Sequence, residues 1–123
     1  EDAICATKAA IKEGIVPGGG IALLNAASKI KSKSIGESVL LEAIKAPYRT
    51  ILENAGIMDI KEPKDQGTGL NVVTGKSVNM IKSGIIDPLL VTKSALRNAV
   101  SVATTILSTD CVINNLRIDE SNR

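Results

Sequence analysis

The 123-residue chain has no histidine, tryptophan or phenylalanine, and Tyr48 is its sole aromatic residue. Without histidine, Cys–His catalysis is excluded. Cys5 and Cys111 stand far apart and are too few for a zinc site. Nothing motivates a disulfide between them, so reduced thiols in a cytosolic or organellar matrix are the expectation. No apolar run approaches membrane-spanning length without a charge inside it. Charge of one sign is scarce too: 15 Lys and Arg against 13 Asp and Glu leave a formal +2. Lys29, Lys31 and Lys33 are sparse and have no stacking residue beside them, which argues against a nucleic-acid binder. The opening at Glu1-Asp2 reads as carrying no targeting segment, and a start in helix-forming sequence reads as a cut rather than a natural beginning. With so few aromatics, the expected core is Ile, Leu, Val and Ala in close-packed helices, and the length suits one domain.

The pattern along the chain predicts a mainly α fold. Residues 2–13 place Ala3, Ile4, Ala6, Ala10 and Ile11 at helical spacing, and Gly14 closes that helix. Further helices are expected over about 20–30, over 37–45 with Val39, Leu40, Ala43 and Ile44 inward, and over 48–55. Pro47 should break or kink the chain. Residues 31–34 read as a solvated connector and 57–69 as a loop. Residues 70–73 and 76–78, around Thr74-Gly75, predict a hairpin. Asp87-Pro88 reads as an N-cap and first residue of a helix over 88–107, a buried centrepiece spanning roughly 30 Å. Residues 110–116 read as a terminal strand, and the end beyond it as frayed.

Three segments could hold a phosphate or nucleotide. Pro17-Gly18-Gly19-Gly20 runs into a helix, where glycines permit close backbone approach and the helix N-terminus favours an anion; taken alone, a triple glycine is more often a plain tight turn. It is not a dinucleotide fingerprint, because Leu23 stands where GxGxxG needs glycine. Residues 69–77 (GLNVVTGKS) place five residues between the glycines, one too many for a Walker motif, and sit in a hairpin. In the third segment, 84–88, Asp87 could cap a helix and still leave an oxygen for a ligand hydroxyl. Alone, these features support a mostly helical domain with three candidate anion-binding segments, or a non-catalytic helical binding or scaffold module.

The wording of four segments adds more. DAICATKAAIKEGIVPGGGIALL (2–24), KAPYRTILENAG (45–56), NVVTGKSVNMIKSGIIDPLLVTKSALRNAVSVA (71–103) and STDCVI (108–113) resemble, in order, the group I chaperonins of GroEL type. EGIVPGGG and GIIDP before a long helix are the most specific parts. The resemblance implies an ATP-driven protein-folding machine of seven-membered rings. Residues 1–13 would end its intermediate-domain helix, and 14–123 would form the C-terminal half of its equatorial, ATP-binding domain. That half would be a helical bundle with a small hairpin and a C-terminal strand for inter-subunit pairing. Carried over by position, Asp2 matches the hydrolytic carboxylate, which acts on the attacking water. Gly19 matches the glycine packed on the nucleotide. Asn71, Val72 and Val73 border the adenine, Ile85 walls the base pocket, and Asp87 accepts from the ribose hydroxyls. The cofactor implied is ATP or ADP with Mg. Its phosphate loop and metal carboxylate belong to an N-terminal half outside these residues, so no metal ligand is assigned here. The implied partners are identical subunits, with a co-chaperonin and unfolded proteins engaged through other domains. The implied location is bacterial cytoplasm or an organelle matrix. Two departures stand out: a short loop between Gly56 and Asn71, and Leu70 where the family often has an aromatic residue.

Overall fold

The computed structural model describes residues 1–111 and 113. Helix α1 (Asp2–Glu13) carries Asp2 in its first turn and Lys12 in its last, both favourable to the helix dipole. It closes where Gly14 donates its N–H to Ala10 O at 2.8 Å. Strand β1 (Ile15–Pro17) follows, and then α2 (Ile21–Lys29), which buries Ile21, Leu24 and Ala27 on one face.

Helix α3 (Ile35–Ala43) starts two residues before its expected position, because Ser34 caps it. The Ser34 hydroxyl accepts from Glu37 N at 3.2 Å, and the Glu37 carboxylate reaches back to Lys33 N. Val39, Leu40 and Ala43 are exposed rather than inward; of that expected face only Ile44 is buried. Helix α4 (Ala46–Asn54) has Pro47 in its first turn, so the proline starts a helix after a short break.

The hairpin forms from β2 (Thr68–Asn71) and β3 (Lys76–Asn79), antiparallel, with Thr68 opposite Asn79 and Asn71 opposite Lys76. Val72 and Val73 therefore lie in its turn, not its strand. Asn71 is the cause: its Oδ1 accepts from Val73 N at 3.0 Å and Thr74 N at 3.4 Å, ending the strand in a side-chain-closed turn.

A second ladder was not foreseen. Strand β4 (Ile86–Pro88) pairs antiparallel with β1, Val16 opposite Asp87. Helix α5 (Leu89–Leu107) begins only after it, with Pro88 as its N-cap and no side-chain cap. The expected capping role of Asp87 is thus corrected: ladder pairing holds residues 86–88 extended, which leaves Asp87 too early to cap. The expected buried centrepiece is corrected as well, since α5 buries none of its residues in this chain. It lies against α1, where Lys93 Nζ sits 2.7 Å from Glu13 Oε2.

The core gathers Ile21, Leu24, Tyr48, Leu52 and Met80, with Ile57, Ile60, Leu70, Val78 and Ile85 packed against it. An all-aliphatic core was expected; the single tyrosine and a methionine stand at its centre instead. Of the expected terminal strand over 110–116, Asp110, Cys111 and Ile113 are described and are not in strand. The rest lies outside the described residues.

Candidate functional site

The β1–β4 ladder decides where the candidate residues go. It continues past its ends through Gly18 N to Ile85 O at 2.9 Å and Leu89 N to Gly14 O at 3.1 Å. The glycine turn 18–20 is thereby held beside residues 85–87. A Cβ on Gly18 would stand 3.1 Å from the Ile85 carbonyl carbon and from Ile86 N, so a side chain there would require the facing backbone to give by a few tenths of an ångström. Gly20 adopts φ 77, and a Cβ there would lie 2.7 Å from Tyr48 N. Gly19, the matched residue, rests over Met80: a Cβ would meet its Cε at 2.9 Å. Helix α2 begins directly after this turn without a side-chain cap, its first N–H, that of Ile21, bonding back to Gly18 O at 3.3 Å.

The ladder therefore sets the glycine turn beside residues 85–87; of the matched residues, only Asp87 lines the groove next to it. Ile85 is half-buried against the core, with its N–H on Met80 O at 2.9 Å. Asp87 is exposed, and among the described residues its carboxylate has no hydrogen bond or ion pair. It lines a groove of about 580 Å³ together with Pro17, Gly20 and the apolar side chains Leu23, Ile44 and Val91. Asn71, Val72 and Val73 sit at the hairpin turn, with Val73 90% exposed, and join the site only through the shared core. Asp2 is exposed in the first turn of α1, roughly 18 Å along the helix from Gly14 at 1.5 Å per residue. The structure does not bring it to the other candidates.

As a fit for a nucleotide, these residues divide by chemistry. Exposed aliphatic side chains suit a purine face, a carboxylate free of protein partners suits a ribose diol, and a glycine turn at a helix start suits an anion. Among the described residues no group of His, Cys, Asp and Glu could hold a metal ion, and no helix is long and apolar enough to cross a membrane. Both cysteines are free and exposed.

The sequence matches the profile of the TCP-1/cpn60 chaperonin family over residues 1–117. The chain belongs to that family. A solved group III chaperonin in its open state is 30% identical, with a TM-score of 0.68 over 85% of this chain and 25% of that one. This chaperonin chain thus spans about a quarter of the length of that relative. The shared fold is mainly helical, as the periodicity implied, with two small antiparallel β pairs, of which the sequence pointed only to the hairpin.

Two residues that support the site escaped the sequence reading. Met80 lies under Gly19, and Tyr48 abuts Gly20. Each makes its contact across a long stretch of chain, which periodicity does not register. The one available signal was that a lone aromatic residue in an aliphatic chain is a strong candidate for the core.

Proposed function

We propose that this chain is the C-terminal part of the ATP-binding equatorial domain of a ring-forming, ATP-dependent chaperonin of group I type, preceded by the end of the intermediate-domain helix up to Glu13. The observation that carries the reading is the β1–β4 ladder, which sets the glycine turn against Ile85 and Asp87. Gly19 packs on the nucleotide, Ile85 with Asn71, Val72 and Val73 borders the adenine, and Asp87 accepts from the ribose. Asp2 serves the attacking water once the intermediate domain closes over the phosphates. A closing motion of this kind accords with the exposed position of Asp2 at the far end of α1. Mg and the phosphates are held by residues of the N-terminal equatorial half. The chain alone therefore lacks most of the electrostatic stabilisation of phosphoryl transfer and turns over no ATP. Its partners are identical subunits in a seven-membered ring, with co-chaperonin and unfolded protein bound by other domains, in bacterial cytoplasm or an organelle matrix.

Calorimetric titration with Mg-ADP tests the site, first on the chain and then after adding the N-terminal equatorial half. Binding is expected in the reconstituted mixture and lost with Asp87→Ala. Asp87→Asn should weaken binding with little change in stability, since Asp87 caps no helix. Absence of binding to a folded complex leaves the helical scaffold reading, which the apolar groove along α5 favours.

A further inference from the structure

Tyr48 links the glycine turn to the segment that leads into the hairpin. Its backbone N and Cα lie 2.7 and 2.8 Å from where a Gly20 Cβ would be, so α4 is pressed directly on the glycine turn. Tyr48 is 3% exposed, in the core cluster that includes Met80 and against which Leu70 of the hairpin packs. Its hydroxyl donates to Lys61 O at 2.9 Å. Lys61 belongs to the segment 57–67, a strap that leaves α4 and feeds directly into β2.

The strap is fastened along its length, by Ile57 N on Leu52 O at 2.9 Å at its start and by Met80 N on Gly67 O at 2.9 Å at its end. Ile57 and Ile60 pack on the core, Lys61 O takes the Tyr48 hydroxyl, and Glu62 is held by Lys45 at 3.1 Å and Arg49 at 3.7 Å. It ends where Thr68 N bonds Asp65 O at 3.3 Å and the hairpin begins. Asp87, by contrast, is placed by the β1–β4 ladder and owes nothing to the strap. We infer that Tyr48 is a positioning residue for the base-binding end of the site: its hydroxyl fixes the strap, and through it the Asn71–Val73 turn, relative to the Gly18–Gly20 turn. The inference rests on the nucleotide reading above. It assigns Tyr48 no contact with substrate.

The test uses the full-length chaperonin carrying this segment, titrated with Mg-ADP and Mg-GDP as wild type, Tyr48→Phe, Glu62→Gln and Asp87→Ala. Loss of one positioning hydrogen bond in Tyr48→Phe should weaken ADP binding on the order of fivefold. GDP binding should change little, so that discrimination between the bases shrinks. Glu62→Gln, loosening the strap from its exposed side, should move the same way by less. Amide exchange in Tyr48→Phe should quicken over 57–79 and stay unchanged in α1 and α5. Unchanged ADP affinity and base discrimination in Tyr48→Phe, with binding lost in Asp87→Ala, overturns the inference and leaves the nucleotide site standing. Equal weakening for both nucleotides with a lowered melting temperature also overturns it, as a merely structural role. No ADP binding by wild type, or full binding by Asp87→Ala, removes the site and the inference together.

Discussion

Gly20 and Gly75 share a left-handed backbone, φ 77 and φ 68, but differ in what surrounds them. A Cβ on Gly75 meets nothing within 4 Å, whereas one on Gly20 strikes the Tyr48 backbone. Alanine at Gly75 should therefore cost about 1 kcal/mol, the conformational penalty alone. Alanine at Gly20 should cost several times more, because α4 must move; urea unfolding of the two variants checks the order. Burial raises the pKa of the Tyr48 phenol, and the negative charge of Glu62 adds to the effect. The folded chain thus holds this proton more tightly than the unfolded chain. The stability it contributes is intact below about 10, the ordinary tyrosine value, and is lost as pH rises through the raised folded value. From about pH 10 upward, melting temperatures should fall more steeply for wild type than for Tyr48→Phe, with no difference in slope below it. At this scale the glycine turn was legible in the sequence. Its steric reason was not, since Tyr48 and Met80 reach it only through the tertiary fold.

Among the elements, α3 depends most on its own ends, because it buries none of its residues. Ser34→Ala should cost about 1 kcal/mol of local helix stability. Faster amide exchange confined to residues 35–44 is the expected readout, and unchanged exchange there would show that packing holds the helix instead. The helices were legible to within about two residues because their apolar spacing and stop signals are local. Failures arose where two local signals competed. Asp87-Pro88 reads as a helix start, yet pairing with β1 claims it as strand. Val72 and Val73 favour strand by their branching, yet the Asn71 side chain closes a turn around them. In both places the outcome was set by a hydrogen bond that hydrophobic periodicity does not encode.

For the whole molecule, the unusual quantity is apolar surface left in the open. Val91, Val102, Ile106 and Leu107 of α5 are exposed, as are Ile4 and Ile11 of α1, and the groove between α5 and α2–α4 is almost wholly apolar. Patches of this kind mark surfaces built for contact. The chain in isolation is expected to self-associate, and sedimentation velocity should show mass rising with concentration. A monomer at all concentrations would refute that. Family membership was legible at this scale from the order of four segments. The buried status of α5 was misjudged, because an apolar arc on a helix announces a partner without saying that the partner lies within the same 123 residues.

The β1–β4 ladder has a consequence for the order of folding. The hairpin closes across four residues, a local event on the microsecond scale. The ladder joins segments about 70 residues apart, and contacts of that separation are the slow ones to form. Until it closes, the glycine turn and Asp87 belong to separate, wandering stretches of chain. On the proposed nucleotide reading, a ligand that needs both would be held only by molecules that have finished folding, and its binding would serve as a clock for the last step of this chain's own maturation.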